Sequence, residues 1–425
     1  MQLFHDALVS FAERRVIYMK KTVMRSYANL IASVGVNIKK GQEVIIRADL
    51  DQPEFITMLV EECYKLGAKK VEVEWNFQPL TKIHVRYRTQ KTLSTVENWE
   101  LEKVKHRLER LPAMIYILSE DPDGLAGMKQ EKYAKYQQAR YKVLKQYLDE
   151  MDNHYQWCIA AVPGVKWAKK VFPNLNKSQA MEKLWEAILY TSRADKDPIE
   201  AWKQHNEELE QRCNYLNSLN LRKLVYKASN GTDLTVGLME QALFMGGGEY
   251  SLEGNFFNPN IPSEEVFTTP KAGEADGIVY SSKPLSYQGQ LIENFSVRFE
   301  KGKVVEVKAE KNQELLQQMV TMDEGAAMLG ECALVPYDSP INNSGLLFYN
   351  TLFDENASCH LALGRGFTNC VKDYDKYTLE ELRNMGVNDS IIHEDFMIGT
   401  KDLNIYGITA DGEEIQIFKD GNFCI

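Results

Sequence analysis

Between Arg25 and Trp75 the hydrophobic pattern alternates between helical and strand periods, and this restricts the fold more than any other stretch of the chain. Tyr27, Leu30, Ile31 and Val34 recur at helical spacing. The turn Gly41-Gln42-Glu43 then leads into Val44-Ile45-Ile46-Arg47-Ala48, a strand by its β-branched content. From Pro53 to Leu66, Phe55, Leu59, Val60 and Cys63 share one helical face, and Gly67 closes the segment. Lys70-Val71-Glu72-Val73-Glu74-Trp75 alternates strictly and reads as the next strand. Helix-strand-helix-strand order implies an α/β layer with parallel pairing. Ala113–Leu118 and Trp157–Val162 predict further strands. Lys129–Met151, Ser178–Tyr190 and Pro198–Leu219 predict long polar helices.

After Leu221 the texture changes. Lys223–Tyr226, Asp233–Leu238, Gly277–Tyr280, Glu293–Phe299 and Val304–Val307 are short strand-like runs, suited to antiparallel sheets. Glu300-Lys301-Gly302-Lys303 between the last two is a hairpin signal. One helix is expected from Asn312 to Met322. The overall expectation is an α/β (α+β overall) chain. An N-terminal α/β domain with parallel strands (1–221) precedes a strand-rich C-terminal domain (222–425). Residues 1–22 read as an extension ahead of a domain start near Val23. They lack the basic n-region and long apolar core of a signal peptide.

The net charge of -10 argues against a nucleic-acid partner and against docking on anionic membranes, both of which need concentrated basic surface. No apolar stretch reaches the roughly 18 residues of a membrane span. Seven scattered cysteines without a CxxC pair argue against a disulfide framework and fit a reducing cytoplasm.

Chemistry concentrates near the C-terminus. In His393-Glu394-Asp395 an imidazole and a carboxylate two residues apart face the same way if the segment is a strand. One strand then offers a nitrogen and an oxygen ligand to one metal. His360, the other histidine of this half, follows Asp354 and Glu355 closely. Imidazole with carboxylate suits divalent zinc, cobalt or manganese. A histidine standing alone is more often a satisfied core residue. The five-residue step from Glu355 to His360 could reach one site around a loop or bent helix. Cys359 reads more simply as a small buried residue than as a thiolate ligand.

Two further acid segments stand out. Glu264-Glu265 lies between Pro262 and Pro270, which keeps the segment out of a helix interior. Adjacent acids are ordinarily a solvated pair. Glu331, in Leu329-Gly330-Glu331-Cys332-Ala333-Leu334-Val335-Pro336, is either an exposed strand-edge acid or a buried one that needs a partner or a cation. There is no GxGxxG after a strand, no P-loop, no HExxH and no GxSxG. Gly246-Gly247-Gly248 therefore reads as a flexible turn.

Four ordered strings resemble the aminopeptidase T/S-type metallo-aminopeptidases, the M29 family. They are Asn260–Pro270, Leu329–Pro336, Leu347–Asn356 and His393–Gly399. Tyr27–Gln42 is similar to the family's opening, so the resemblance covers nearly the whole chain, weakly in the helical middle. It implies a two-metal exopeptidase that acts on peptides with a free N-terminus, using two divalent ions per subunit (zinc, cobalt, manganese or magnesium). It implies the ligands Glu265, Glu331, Glu355, His360, His393 and Asp395, with Glu331 bridging the two ions. It also implies a catalytic C-terminal domain and a homodimer that encloses the active sites. Ions in such a pair activate a shared water, and their four positive charges are offset by the four carboxylates. Glu331 is the candidate proton carrier if bridging leaves it free.

One position departs from the family. Seven residues past the ligand histidine, where the family usually has tyrosine, this chain has Phe367. Phenylalanine cannot donate a proton or ligate a metal. Tyr349 or Tyr374 takes over, or the rate is reduced, or the chain is a metal-binding, inactive descendant that binds peptides. A different two-metal hydrolase such as a phosphoesterase has less support, because Arg365 is the only arginine near the ligand segments to hold a phosphate.

Overall fold

The computed structural model describes residues 19–425, so most of the extension expected ahead of Val23 lies outside the described residues. The opening helix runs Lys21–Leu30 and continues as a wider turn, Ile31–Gly35. The alternating segments form a parallel sheet whose strands are ordered Asn260–Ile261, Trp157–Ala161, Ala113–Leu118, Glu43–Asp49, Lys70–Asn76. Every neighbouring pair is parallel, as the helix-strand alternation implies. The central strands are buried on both faces by the helices that connect them, which explains their near-continuous apolar runs.

The outermost strand of this sheet, Asn260–Ile261, comes from beyond residue 222. Ile261, Phe348 and Phe353 also enter the core beneath the sheet, beside Tyr27, Phe55 and Trp185. The indole Nε1–H of Trp167 donates to the carbonyl of Phe348, a bond from the N-terminal helices to the segment that carries Glu355.

The strand-rich half contains two large sheets and a two-stranded ribbon, Glu249–Tyr250 with Phe256–Phe257. The larger is antiparallel and includes the hairpin Gln290–Glu300 with Lys303–Lys311. Lys301 and Gly302 both have positive φ there, the conformation a tight hairpin turn requires. The smaller sheet has the order His393–Met397, His360–Gly364, Leu329–Leu334, Val266–Thr268, Met245–Gly246, all antiparallel. The glycine cluster is thus only partly a turn. Met245 and Gly246 form the edge strand, and a Cβ on Gly246 would meet the Glu265 carbonyl at 2.5 Å. Close backbone approach explains the glycine at that position.

Candidate active site

Register places the functional side chains of the small sheet on one face. Ala362 stands opposite Asp395 on one side and Glu331 on the other, and His360 stands opposite Ala333. Alternation then puts Glu331, His360, His393 and Asp395 on the same surface as Ala333, Ala362 and Gly364. Small residues between long ones leave room above the sheet. The opposite face carries Cys332, Leu334, Leu361, Leu363 and Phe396 into the second hydrophobic core. Gly364 has φ +106°, and a Cβ there would lie 2.1 Å from the Ile392 carbonyl, so only glycine fits where the strand meets His393.

Glu265 reaches this face from the turn just before Val266–Thr268. Its Oε2 lies 3.2 Å from Nε2 of His360. Nε2 of His393 lies 3.0 Å from Oε2 of Glu331 and 3.4 Å from Oδ1 of Asp395. Ligand atoms of Glu265, Glu331 and His360 fall within 4.8 Å of one another, and so do those of Glu331, His393 and Asp395. Glu331 belongs to both groups. Glu355 follows the helical turn Thr351–Asp354, is buried and lines the same cavity, but stands outside both groups. Glu331 is buried in a central strand rather than exposed at an edge.

Glu264 and Glu265 have separate partners. The Glu264 carboxylate faces the Arg193 guanidinium in two contacts, one of them 2.8 Å, and its backbone N–H donates to Oδ1 of Asn356 at 2.7 Å. The side-chain amide of Asn356 donates to Glu355 at 3.3 Å. His205, buried against Trp202, holds the same turn through the Ser263 carbonyl, 2.7 Å from its Nε2. Burial disfavours its charged form. Cys359 is buried, and its thiol donates to the Val335 carbonyl at 3.3 Å.

The electrostatics show a cluster short of positive charge. Burial raises the pKa of Glu331 to about 7, with neighbouring carboxylates adding to the shift, and pushes Glu355 well above its usual range. Burial opposes the charged form of His360, but the Glu265 carboxylate outweighs it and raises the imidazole to about 9. Burial likewise works against ionised Asp395, yet the adjacent His393 holds that carboxyl down to about 2. Oδ1 of Asp395 is buried without a hydrogen-bond partner. Four buried carboxylates, one of them with an oxygen that no hydrogen bond satisfies, and two imidazoles fit divalent cations by donor chemistry and by charge.

The cluster opens into a cavity of about 790 Å³. Beyond the cluster it is lined by Tyr116 and Leu118 of the strand Ala113–Leu118, by Glu120 to Leu125 after that strand, and by Tyr155 and Trp157 where the strand Trp157–Ala161 begins. Phe367 lies on the cluster side, its ring 4.9 Å from that of His393 and 5.3 Å from that of Phe267. Of the tyrosines named as replacements, Tyr349 lines the cavity and Tyr374 is not among the lining residues.

The sequence profile of the thermophilic metalloprotease (M29) family matches residues 20–423. The chain belongs to this family. It is a metal-dependent peptide hydrolase. Aminopeptidase AmpS of Bacillus subtilis (strain 168) is 40% identical over 403 residues, covering 94% of this chain and 98% of that one. Aminopeptidase T of Thermus thermophilus is 37% identical over 407 residues, covering 95% and 99%. The structure of wild-type AmpT from Thermus thermophilus superposes with a TM-score of 0.86 at 35% identity, covering 95% of this chain and all of that one. The mixed architecture of a parallel sheet joined to antiparallel sheets is thus shared.

Proposed function

We propose that this M29 member is an aminopeptidase that releases single N-terminal residues from peptides with the help of two divalent ions. The carrying observation is the pair of ligand groups that share Glu331. Glu265, Glu331 and His360 would hold one ion and Glu331, His393 and Asp395 the other, with Glu355 completing the set. Zinc, cobalt and manganese accept such mixed nitrogen and oxygen donors, and magnesium would draw chiefly on the carboxylates. Bound there, the ions would polarise the scissile carbonyl and lower the pKa of a water.

The chain's own residues do the positioning. The Arg365 carbonyl fixes the ring of His393 through Nδ1, and the Ser358 carbonyl, 3.4 Å from Nδ1 of His360, leaves the Nε2 of that ring facing Glu265. Glu331 borders both ligand groups, and it is the catalytic carboxylate in this reading where bridging leaves one of its oxygens free to carry a proton. The tyrosine-lined wall across the cavity encloses the peptide and excludes water. We assign that wall to an N-terminal lobe, residues 1–221, and the ligands to a catalytic lobe, residues 222–425. We also propose a homodimer and a cytoplasmic setting. Six of the seven free cysteines are buried, and no helix among the described residues is long and apolar enough to cross a membrane.

Phe367 supports a second reading, an inactive descendant that binds metal and peptides. Metal analysis combined with turnover of aminoacyl p-nitroanilides separates the two. Two ions per chain, with cleavage that is lost to chelator and restored by metal, is the expected result. Two ions without turnover of any peptide would favour the second reading. Phosphoester turnover alone would overturn both.

A further inference from the structure

Among the described residues, eight carboxylates line the cavity but only one lysine or arginine, Arg365. Four of the acids are the ligand candidates, and Glu120, Asp121, Asp152 and Glu249 are the others. Asp121 is paired with Lys166 at 3.0 Å, and Glu249 accepts from the amide of Asn369 at 2.7 Å. Arg365 is therefore the place in the cavity where an anion finds a fixed positive charge.

Its main chain is clamped and its side chain is not. The Arg365 N–H donates to the Ile392 carbonyl at 2.7 Å, and the Arg365 carbonyl lies 2.6 Å from Nδ1 of His393. The guanidinium makes a single hydrogen bond, 3.4 Å from Oδ2 of Asp152, with Asp149 and Asp389 close enough to support its charge, and 32% of the side chain is exposed. Charge-assisted pairs ordinarily close to about 2.7–2.9 Å, and a guanidinium has five donors, so most of its capacity is unused. Asp152 does not depend on it, because the Thr368 hydroxyl also reaches Oδ2, at 3.3 Å.

We propose that Arg365 is a specificity-determining residue that receives the C-terminal carboxylate of a short peptide. This rests on the aminopeptidase reading of the same cavity. A peptide that enters with its free amine toward the ligand cluster brings its other end along the cavity within a few residues, at about 3.3–3.6 Å per residue. A free carboxylate arriving there would meet acids everywhere except at Arg365, whose planar fork matches it in two parallel hydrogen bonds. Di- and tripeptides would gain from this contact. Longer peptides, which carry the carboxylate past it, would not.

The test compares leucyl-glycyl-glycine with its C-terminal amide on the metal-loaded wild-type protein and on the Arg365→Met and Arg365→Lys variants. The quantity read is the acid-to-amide ratio of kcat/KM within each protein, which cancels general losses of folding or metal content. The wild type is expected to favour the acid by about 10- to 100-fold, the range of one charge-assisted contact. Arg365→Met should bring the ratio to about one through KM, and Arg365→Lys should keep part of it, since a point charge replaces the fork. A wild-type ratio of one, or a ratio unchanged in Arg365→Met, overturns the assignment. A loss in Arg365→Met shared equally by acid and amide also overturns it, because that pattern belongs to a role at the scissile carbonyl. If neither peptide is cleaved, the ratio is read as Kd by calorimetric titration. A preference for the acid that is lost in Arg365→Met then upholds the anion site while the aminopeptidase reading fails.

Discussion

Nδ1 of His393 lies 2.6 Å from the carbonyl of Arg365, and this contact leaves Nε2 directed at Glu331, 3.0 Å away. A backbone carbonyl can only accept, so Nδ1 carries the hydrogen and Nε2 is the nitrogen free to ligate a metal once the ring is neutral. His393→Ala removes a preoriented donor from the group it forms with Glu331 and Asp395. The variant should retain one ion per chain instead of two and lose peptide cleavage by at least about 10²-fold, since outer-shell losses alone reach 10- to 100-fold. Metal analysis after gel filtration and initial rates on an aminoacyl substrate check this. Full activity would contradict the assignment.

Phe367 packs on that same imidazole, and its main chain is tied to Thr269, whose hydroxyl accepts from the Phe367 N–H at 2.7 Å. Phe367→Tyr should therefore keep the ring in place and add only a hydroxyl at its rim. If a donor there assists the reaction, kcat should rise by up to about 10²-fold, the lower end of what losing one transition-state donor costs. An unchanged kcat would mean that another group, with Tyr349 at the cavity wall the first candidate, has taken over the role.

The elements legible in the sequence are those with a clear period. Ala113–Leu118 and Gln130–Met151 lie where apolar spacing predicts them, and His393 and Asp395 share a strand face as alternation requires. Contacts between distant segments leave no such signal. Asn260–Ile261 has only two residues, too few to show a period, yet it completes the parallel sheet beside Trp157–Ala161. Gly246 resembles a turn residue, although its role is to let one strand approach Glu265. Arg193 and Glu264 are 71 residues apart, and nothing local in either marks the pair. Asn356 is visible inside the Asp354-Glu355-Asn356 string, but its partner, the Glu264 N–H, is not. The tyrosines of the facing wall look like ordinary strand and loop residues until the sheet assembles.

The pair formed by Arg193 and Glu264 yields a stability prediction. Glu264 is 3% exposed, so removing its partner leaves a buried, uncompensated charge. Arg193→Met should destabilise the metal-loaded protein by about 3 kcal/mol, the lower end for breaking a buried pair. It should also weaken metal retention, because the turn it secures carries Glu265. Arg193→Met combined with Glu264→Leu should recover much of the loss, since burying apolar groups avoids the desolvation cost. Urea unfolding of both variants measures the effect. A double variant no more stable than the single one would show that the turn depends on something other than charge compensation.

Glu249 yields a pH dependence away from the ligand cluster. Burial raises its pKa from 4.5 to about 7, only partly offset by the hydrogen bond from Asn369. An acid raised on folding binds its proton more tightly in the native state. Its stabilising contribution is complete below the unfolded value near 4.5 and is lost as pH rises through about 7. Glu249→Gln cannot ionise, and its side-chain carbonyl can still accept from Asn369. The variant and the wild type should have similar stability near pH 4.5, and the variant should become the more stable protein between there and pH 7. Above that the gap should level off on the order of 3 kcal/mol, since each tenfold change in proton affinity is worth about 1.4 kcal/mol. Thermal unfolding of both metal-loaded proteins across this range gives the difference directly. A gap that does not vary with pH would mean that Glu249 titrates as an ordinary solvated carboxylate.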